Sequence, residues 1–170
     1  MHEIHTWRRI VMLSIIAGCG QRSDTAKTNA FVESYGRAMT TISSICRKVS
    51  TQVMSGEPLT PGQRAAFIIV YGRAAADVNL DDAPASLQAC RDGANDAFAK
   101  LRSATTEVVI KANGGNNHVT IALANAAAPA VDEALHALRI VAQSCRRDSE
   151  QIHPQPLAMI SPYFVAPSCL

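Results

Sequence analysis

Residues 87–108, LQACRDGANDAFAKLRSATTEV, carry the most regular hydrophobic pattern in the chain. The apolar positions repeat at steps of three and four residues, a spacing that places their side chains on one face of an α-helix. These positions are Leu87, Cys90, Ala94, Ala97, Leu101, Ala104 and Val108. The alanines in this stretch add to the helical preference, because alanine has the highest intrinsic helix propensity. The pattern predicts a long helix that packs along one apolar face.

Two segments before this stretch show the same periodicity and predict two earlier helices. The first ends at Gly56 and Pro58, residues that stop a helix. The second begins where Thr60 supplies an N-cap and Pro61 occupies the first helical position, and it ends near Asn79. The apolar positions of the first helix are Phe31, Tyr35, Ala38, Ile42, Ile45, Val49 and Val53, and those of the second are Phe67, Val70, Tyr71, Ala74 and Val78.

The chain between residues 107 and 123 allows two interpretations. Residues 113–117, NGGNN, form a loop. The flanks EVVIKA and HVTIAL are rich in β-branched residues and match the two strands of a hairpin. Each flank also merges into a longer helical pattern, and we therefore favour helix on both sides of the loop. A fourth helix follows, in which Pro129 predicts a first part that is kinked or separate. Its apolar face carries Val131, Leu135, Leu138, Val141 and Cys145.

Four helices joined by short connections predict an all-α fold, an up-and-down four-helix bundle that spans residues 28–148. In that topology the third helix starts at the end of the bundle where the fourth helix finishes. Cys90 and Cys145 then meet at the same end, and a disulfide between them is expected in an oxidising compartment.

The C-terminal segment 149–170 contains four prolines and is not expected to form a regular helix. Its apolar residues predict that it packs on the bundle. At about 3.3 Å per extended residue it is long enough to run back and bring Cys169 to Cys46, which lies on the core face of the first helix. A second disulfide between these two cysteines is the prediction.

The N-terminal stretch 8–21, RRIVMLSIIAGCGQ, has the three parts of a secretory signal. Arg8 and Arg9 form a positive region, residues 10–17 form an apolar block, and small residues follow. The block is much shorter than the roughly 20 apolar residues that a permanent transmembrane helix needs. The stretch therefore predicts an export signal and not a membrane-spanning anchor.

Within this stretch, Ile16-Ala17-Gly18-Cys19 resembles the lipobox of bacterial lipoproteins. The resemblance implies cleavage before Cys19, a diacylglycerol on its sulfur and an acyl chain on its new amino group, so that several acyl chains hold the protein on a membrane. Gly20 follows the cysteine, which by the same resemblance implies sorting to the outer membrane, with the protein facing the periplasm or the cell surface. Residues 1–18 would then be the signal peptide and residues 19–27 a polar tether.

The composition of the mature chain limits its partners. Removal of residues 1–18 leaves 152 residues, a single domain by length, with 14 basic and 13 acidic side chains. A nearly neutral chain without a basic block argues against nucleic acid as a partner. Assigning Cys19 to lipid leaves four cysteines, an even number that allows two disulfides.

One internal similarity joins the first two helices. Residues 31–38, FVESYGRA, and residues 67–74, FIIVYGRA, share the pattern F-x-x-x-Y-G-R-A. The aromatic residues and the arginine of the two copies could together form a paired site for an anionic ligand. A packing motif used twice is the better interpretation, because the glycine permits the close approach of another helix and repeat arrays generally need at least three units.

The candidates for metal, haem or catalysis are weak. Glu133 and His136 have the E-x-x-H spacing of di-iron bundles, but those proteins need two such motifs. His118 is expected in a loop and His153 at the head of the proline-rich tail, and a haem site with His136 and Met39 as axial ligands has no support from their spacing. No catalytic motif is present, so we expect neither a metal nor a cofactor, and no enzymatic activity.

A small helical lipoprotein without a chemical motif is expected to act by binding another protein, as an assembly factor in the envelope. Pilotins, helical lipoproteins that escort secretion-channel subunits, are similar in this general description only. Two alternatives stay open. One is a bundle that binds haem or another apolar ligand, and the other is an immunity or exclusion lipoprotein.

Overall fold

Four α-helices make up the part of the fold that the structure describes. The computed structural model describes residues 4–152 except 79, 81, 82 and 84, and it describes side chains between residues 26 and 146 apart from Ser86. A short 3₁₀ turn precedes the third helix, and the described residues contain no β-strand. The helices are α1 (Ile4–Met54), α2 (Pro61–Ala76), α3 (Gln88–Asn113) and α4 (Asn117–Ile152), and the 3₁₀ turn is Ala85–Leu87. The fold is the all-α four-helix bundle that the sequence predicts.

The connection between α1 and α2 follows the local sequence. Gly56 has a φ of 80°, a left-handed conformation that glycine adopts without steric cost and that ends α1. At the start of α2 the backbone N–H of Gln63 donates to the Thr60 hydroxyl at 3.2 Å, and the Thr60 N–H donates to the Gln63 side chain at 2.9 Å. This reciprocal capping box satisfies two backbone N–H groups at the start of α2. The N–H groups of a first helical turn have no acceptor within the helix.

Residues 107–123 are helical on both sides of the loop, as we favoured, and the hairpin alternative is wrong. Val108 is buried whereas Ile110 is 60% exposed. In a strand these two side chains would share a face, whereas on a helix they point in different directions. The chain turns at residues 114–116, where Gly115 has a φ of 75°.

Two features of the helices go beyond the sequence pattern. α1 begins at Ile4 and includes residues 19–27, because no proline interrupts the chain between residues 4 and 54; the role of residues 19–27 as a tether stays a prediction. Pro129 lies inside α4 and does not separate the first part of that helix. Both Pro129 and Asn125 are exposed, so water can bind the Asn125 carbonyl that lacks a helical N–H partner.

Helices α2, α3 and α4 pack against one another, and small residues allow α3 and α4 to approach most closely. The α3 face is built from Ala94 and Ala97, and the α4 face from Ala134 and Ala142, all almost completely buried. Gly93 completes this seam, since a Cβ there would lie 3.3 Å from the Val141 side chain. The alanine-rich pattern therefore determines a short distance between helices.

Helix α1 lies along α2 and uses larger side chains. The rings of Phe31 and Tyr35 stack with their centroids 5.8 Å apart, and Tyr35 meets Phe98 of α3 edge to face at 6.1 Å. All three residues are at most 2% exposed. Aromatic rings of this size hold α1 farther from α3 than the alanine seam holds α3 from α4.

A disulfide joins Cys90 near the start of α3 to Cys145 near the end of α4, with their Cα atoms 4.8 Å apart. This is the pair that the up-and-down topology predicts. The sequence predicts no regular helix over the C-terminal segment 149–170; this is wrong for residues 149–152, which continue α4 to Ile152, because the first proline of the segment is Pro154. The predicted packing of residues 153–170 lies outside the described residues. The predicted processing after residue 18 likewise stays a prediction.

Candidate binding groove

A groove opens between α1, α2 and α4 near the end of the bundle that carries the α1–α2 connection. Its volume is about 300 Å³. Apolar side chains from three helices and the connection form most of its wall, and two charged residues and one tyrosine complete it. The lining residues are Val49, Val53, Leu59, Arg64, Phe67, Ile68, Tyr71, Ala128, Val131, Asp132 and Leu135.

The charged residues of the groove lie at its rim. Arg64 of α2 and Asp132 of α4 are both exposed, and both line the groove. Partial burial raises the pKa of the Asp132 carboxyl, and the positive charge of Arg64 offsets part of that rise. The rim therefore presents a carboxyl group with a raised pKa together with the guanidinium of Arg64.

Tyr71 forms the inner wall of the groove and is 5% exposed. Its hydroxyl lies 3.5 Å from the sulfur of Cys46, which is disulfide-bonded. A disulfide sulfur carries no hydrogen, so the tyrosine hydroxyl is the donor. Burial, and secondarily the negative charge of Asp132, raises the pKa of Tyr71 to about 12. Tyr71 is consequently a neutral hydrogen-bond donor at physiological pH, fixed in the wall by packing.

The residue types that line the groove are those of a binding site. The groove contains no serine, cysteine or histidine among its lining residues, so it lacks the usual pairing of nucleophile and base. Apolar walls with a few polar groups at the edge are typical of sites that bind a ligand or a side chain. The described residues contain no cluster of histidine, cysteine, aspartate or glutamate that could hold a metal ion.

The cysteines predicted from the sequence fall into three groups. Cys90 and Cys145 are bonded to each other and buried, at 2% and 0% exposed. Cys46 is also completely buried, but its predicted partner Cys169 lies outside the described residues, so that pairing stays a prediction. Cys19 lies on α1, where the structure describes the backbone only, and its lipidation likewise stays a prediction.

The two copies of F-x-x-x-Y-G-R-A do not form a ligand site of paired aromatics and arginines. Tyr35 and Tyr71 are buried in the core, whereas both arginines are exposed. Arg37 pairs with Glu33 at 2.6 Å on its own helix, and Arg73 donates to the Asn113 side chain at 3.1 Å. In the second copy the glycine provides a close helix contact with α3, which agrees with the packing interpretation.

The histidine candidates do not assemble. Glu133 and His136 are exposed on α4, and His118 is exposed at the start of the same helix. Met39 is 1% exposed in the core, so the proposed haem pair of His136 and Met39 is not brought together. His153 lies outside the described residues.

Arg64, Leu59 and Asp132 line the groove, although none of them is a candidate site residue in the sequence pattern. Phe67 is an aromatic residue on the apolar face of α2, and its partial burial, which the sequence does not show, is the structural sign of a cleft. A large side chain left partly exposed on a core-facing stripe indicates a cleft at that level of the bundle. The residues of the rim have no pattern of their own in the sequence.

The fold and groove together define a four-helix bundle with an apolar cleft at one end. Among the described residues, no helix combines the length and apolar character that a bilayer span requires. No protein family, curated protein or solved structure matches the chain.

Proposed function

We propose that the protein is a lipid-anchored binding protein of the bacterial cell envelope, which holds an apolar segment of a partner protein in the groove between α1, α2 and α4. The observation that carries the proposal is the groove: a cleft of about 300 Å³ with apolar walls and a charged rim. Clefts of this composition are common binding sites.

Exposed apolar side chains beside the groove favour a protein partner over an enclosed small ligand. Val53 lines the groove and is 58% exposed, and the next residue, Met54, is 84% exposed. Apolar surface that continues out of a cleft is typical of protein interaction sites. Arg64 and Asp132 at the rim would set the orientation of the bound segment through complementary charges.

The lipobox resemblance at Cys19 supports the anchoring part of the proposal. An acylated N-terminus confines the bundle to a membrane surface, and confinement raises the effective concentration of a partner in the same envelope. A modest groove is then sufficient for function, because the partner does not have to be captured from dilute solution.

Site-specific photocrosslinking in intact cells tests the binding role. A photoreactive residue at Val53 is expected to form a discrete crosslinked product with one partner. The matched control is Ile140 on α4, which is 52% exposed but does not line the groove. Crosslinking at Val53 and not at Ile140 supports the proposal, whereas equal products at both positions, or none at Val53, would contradict it.

A small apolar ligand in the same groove is the second candidate, favoured by the cavity volume, which matches the lower end of small-molecule sites. Native mass spectrometry of protein purified from the envelope separates the two. A bound molecule that is lost in Val53→Asp and retained in Ile140→Asp would favour the ligand.

An immunity or exclusion role is another form of protein binding. The identity of the crosslinked partner would distinguish that role from an assembly role.

A further inference from the structure

A second cleft lies at the end of α1, where the last turns of this helix meet the α1–α2 connection and the start of α2. Its volume is about 450 Å³. Arg47 and Lys48 of α1 and Glu57 of the connection supply its charges, and hydroxyl and amide side chains complete a wall without any apolar residue. We call this site the polar cleft. It shares no lining residue with the apolar groove.

The two cations of the polar cleft have no acidic neighbour on their own helix. Arg37, ten residues before Arg47, pairs with Glu33 one turn away at 2.6 Å. Between Glu33 and Glu57, however, the sequence contains no aspartate or glutamate. Arg47 and Lys48 are exposed, and their side chains make no ion pair within the part of the chain that the structure describes. The cleft therefore offers two unpaired positive charges beside a single carboxylate.

The outer face of α1 connects the polar cleft with the groove. Val53 lines the groove, and Met54 follows it about 100° further around the helix and is 84% exposed. Arg47 precedes Met54 by seven residues, nearly two complete turns, so both lie on one stripe of the helix. Thr51, which lines the polar cleft, lies between them on the same stripe. A chain that leaves the groove over Val53 therefore meets Met54 and then the basic residues.

We propose that the partner segment bound in the groove continues over Met54 into the polar cleft, and that its part in the cleft is acidic and binds Arg47 and Lys48 through carboxylates. This inference rests on the proposed function, because the apolar part of the segment occupies the groove. A guanidinium matches a carboxylate with two parallel N–H donors, and an ammonium adds a second positive charge. Complementary charges of this kind select the partner and fix its register in the groove.

The geometry of α1 sets the spacing within the partner. From Val53 to Arg47 the path covers about 120° around the helix and about 9 Å along its axis. With side chains at a radius of about 5 Å, the path is roughly 14 Å long. About four extended residues span this distance. The acidic residues of the partner are therefore expected roughly four to six residues from its apolar anchor.

The structure favours a polypeptide over other negatively charged occupants. Under the proposed lipid attachment, the membrane holds Cys19, and Lys48 lies 29 residues further along α1, about 43 Å away. The polar cleft is thus at the end of the bundle remote from the attachment point. Its lining residues include no aromatic side chain on which a nucleobase could stack.

Photocrosslinking in intact cells from two positions tests the path of the segment. A p-benzoylphenylalanine at Thr51 is expected to capture the same partner as one at Val53. Mass spectrometry of the crosslinked peptides should place the two contact points within about six residues of each other in the partner. The peptide captured from position 51 is expected to contain aspartate or glutamate at the contact point.

Charge reversal tests the role of the cations. Arg47→Glu combined with Lys48→Glu is expected to reduce the yield of the Val53 crosslink at least tenfold. The matched control combines Lys27→Glu with Arg139→Glu, which changes the net charge equally at two exposed positions outside both sites. This control should keep the wild-type yield. Yields are compared at equal helix content, measured by circular dichroism of each purified variant.

A milder pair of substitutions keeps the test decisive if charge reversal disturbs the helix. Arg47→Gln combined with Lys48→Gln removes both positive charges, adds no carboxylate and should lower the yield in the same direction. A lower yield in the charge variants, together with an acidic peptide captured from position 51, supports the proposal.

The opposite outcomes separate this inference from the proposed function. If Val53 captures no partner in the wild type, the proposed function fails and this inference fails with it. If Val53 captures a partner at the wild-type yield in the charge variants, the groove stands and this inference is overturned. Capture from position 51 of a different protein, of a segment without acidic residues, or of a phospholipid also overturns it.

Discussion

Gly72 of α2 lies against Thr105 of α3 so closely that no side chain fits between them. A Cβ on Gly72 would lie 2.7 Å from the Thr105 hydroxyl oxygen and 2.8 Å from a methyl group of Val109. Thr105 is buried and donates its hydroxyl to the Leu101 carbonyl at 2.8 Å, which fixes its rotamer. The glycine therefore determines how closely α2 approaches α3.

Gly72→Ala is expected to lower the free energy of unfolding by about 1–3 kcal/mol, the usual cost of overfilling a packed core. Gly62 on the same helix is the matched control, because a Cβ there meets nothing within 4 Å. Gly62→Ala should be neutral or stabilising, since alanine is favoured over glycine in a helix. Chemical denaturation of both variants checks this, and equal effects would argue against the close contact.

Replacing Cys90 and Cys145 together by alanine is expected to lower the stability by about 2–4 kcal/mol, because the bond closes a long loop in the unfolded chain. The two residues are separated by 55 positions in the sequence. Both are buried, so the native protein should also resist alkylation after mild treatment with a reductant. A double variant as stable as the wild type under non-reducing conditions would contradict this role.

The Asp132 carboxyl predicts a pH dependence of stability. Burial raises its pKa above the ordinary value of 3.8, so the folded state binds this proton more tightly than the unfolded chain does. Its contribution is present in full below pH 3.8 and is lost as the pH rises through the higher pKa of the folded state. Because Asp132 is largely exposed, the effect is small.

Asp132→Asn removes this proton equilibrium. Relative to the variant, the wild type is expected to lose stability as the pH rises from about 3 to 7, a range that brackets the ordinary and raised pKa of a carboxyl group. Denaturant unfolding of both proteins across that range measures the difference. A wild type that gains stability over the variant toward neutral pH would show that the carboxylate is stabilised in its charged form.

Lipid attachment at Cys19 predicts a simple fractionation result. Cys19→Ser should abolish the mass increase from acylation and release the protein from the membrane fraction, because stable anchoring needs more than one acyl chain. Cys169→Ser, which alters another cysteine of the same chain, should stay with the membrane. If the Cys19→Ser variant still partitions with membranes and has the mass expected from the wild-type protein apart from the substitution, the lipoprotein assignment fails.

Most of the fold can be predicted from periodic apolar positions because these reflect a local geometry. The stripe from Leu87 to Val108 predicts α3, and the Thr60-Pro61 signal predicts the start of α2 at the residue where the structure has it. The pairing of Cys90 with Cys145 follows from the direction of the helices alone. The helix positions depend on residues close together in the sequence. The disulfide depends on a topology with few alternatives.

The groove could not be predicted in the same way, since it depends on distances between helices. Arg64 and Asp132 are ordinary exposed charges in their own helices, and they become a rim only because α2 and α4 both border the groove. The extent of α1 could not be predicted from the apolar pattern, because a polar segment without proline, such as residues 19–27, can continue a helix that already exists.

The claim that the groove binds a partner is tested most directly by one pair of charge substitutions. Val53→Asp places a carboxylate in the apolar wall, whereas Ile140→Asp places one at an equally exposed position that does not line the groove. Photocrosslinking first identifies the partner. The measurement is then the amount of that partner that is recovered together with each variant from solubilised envelopes, at equal levels of folded protein. We predict at least a tenfold loss for Val53→Asp, corresponding to about 1.4 kcal/mol of binding free energy, and wild-type recovery for Ile140→Asp. Equal recovery with both variants would contradict the account.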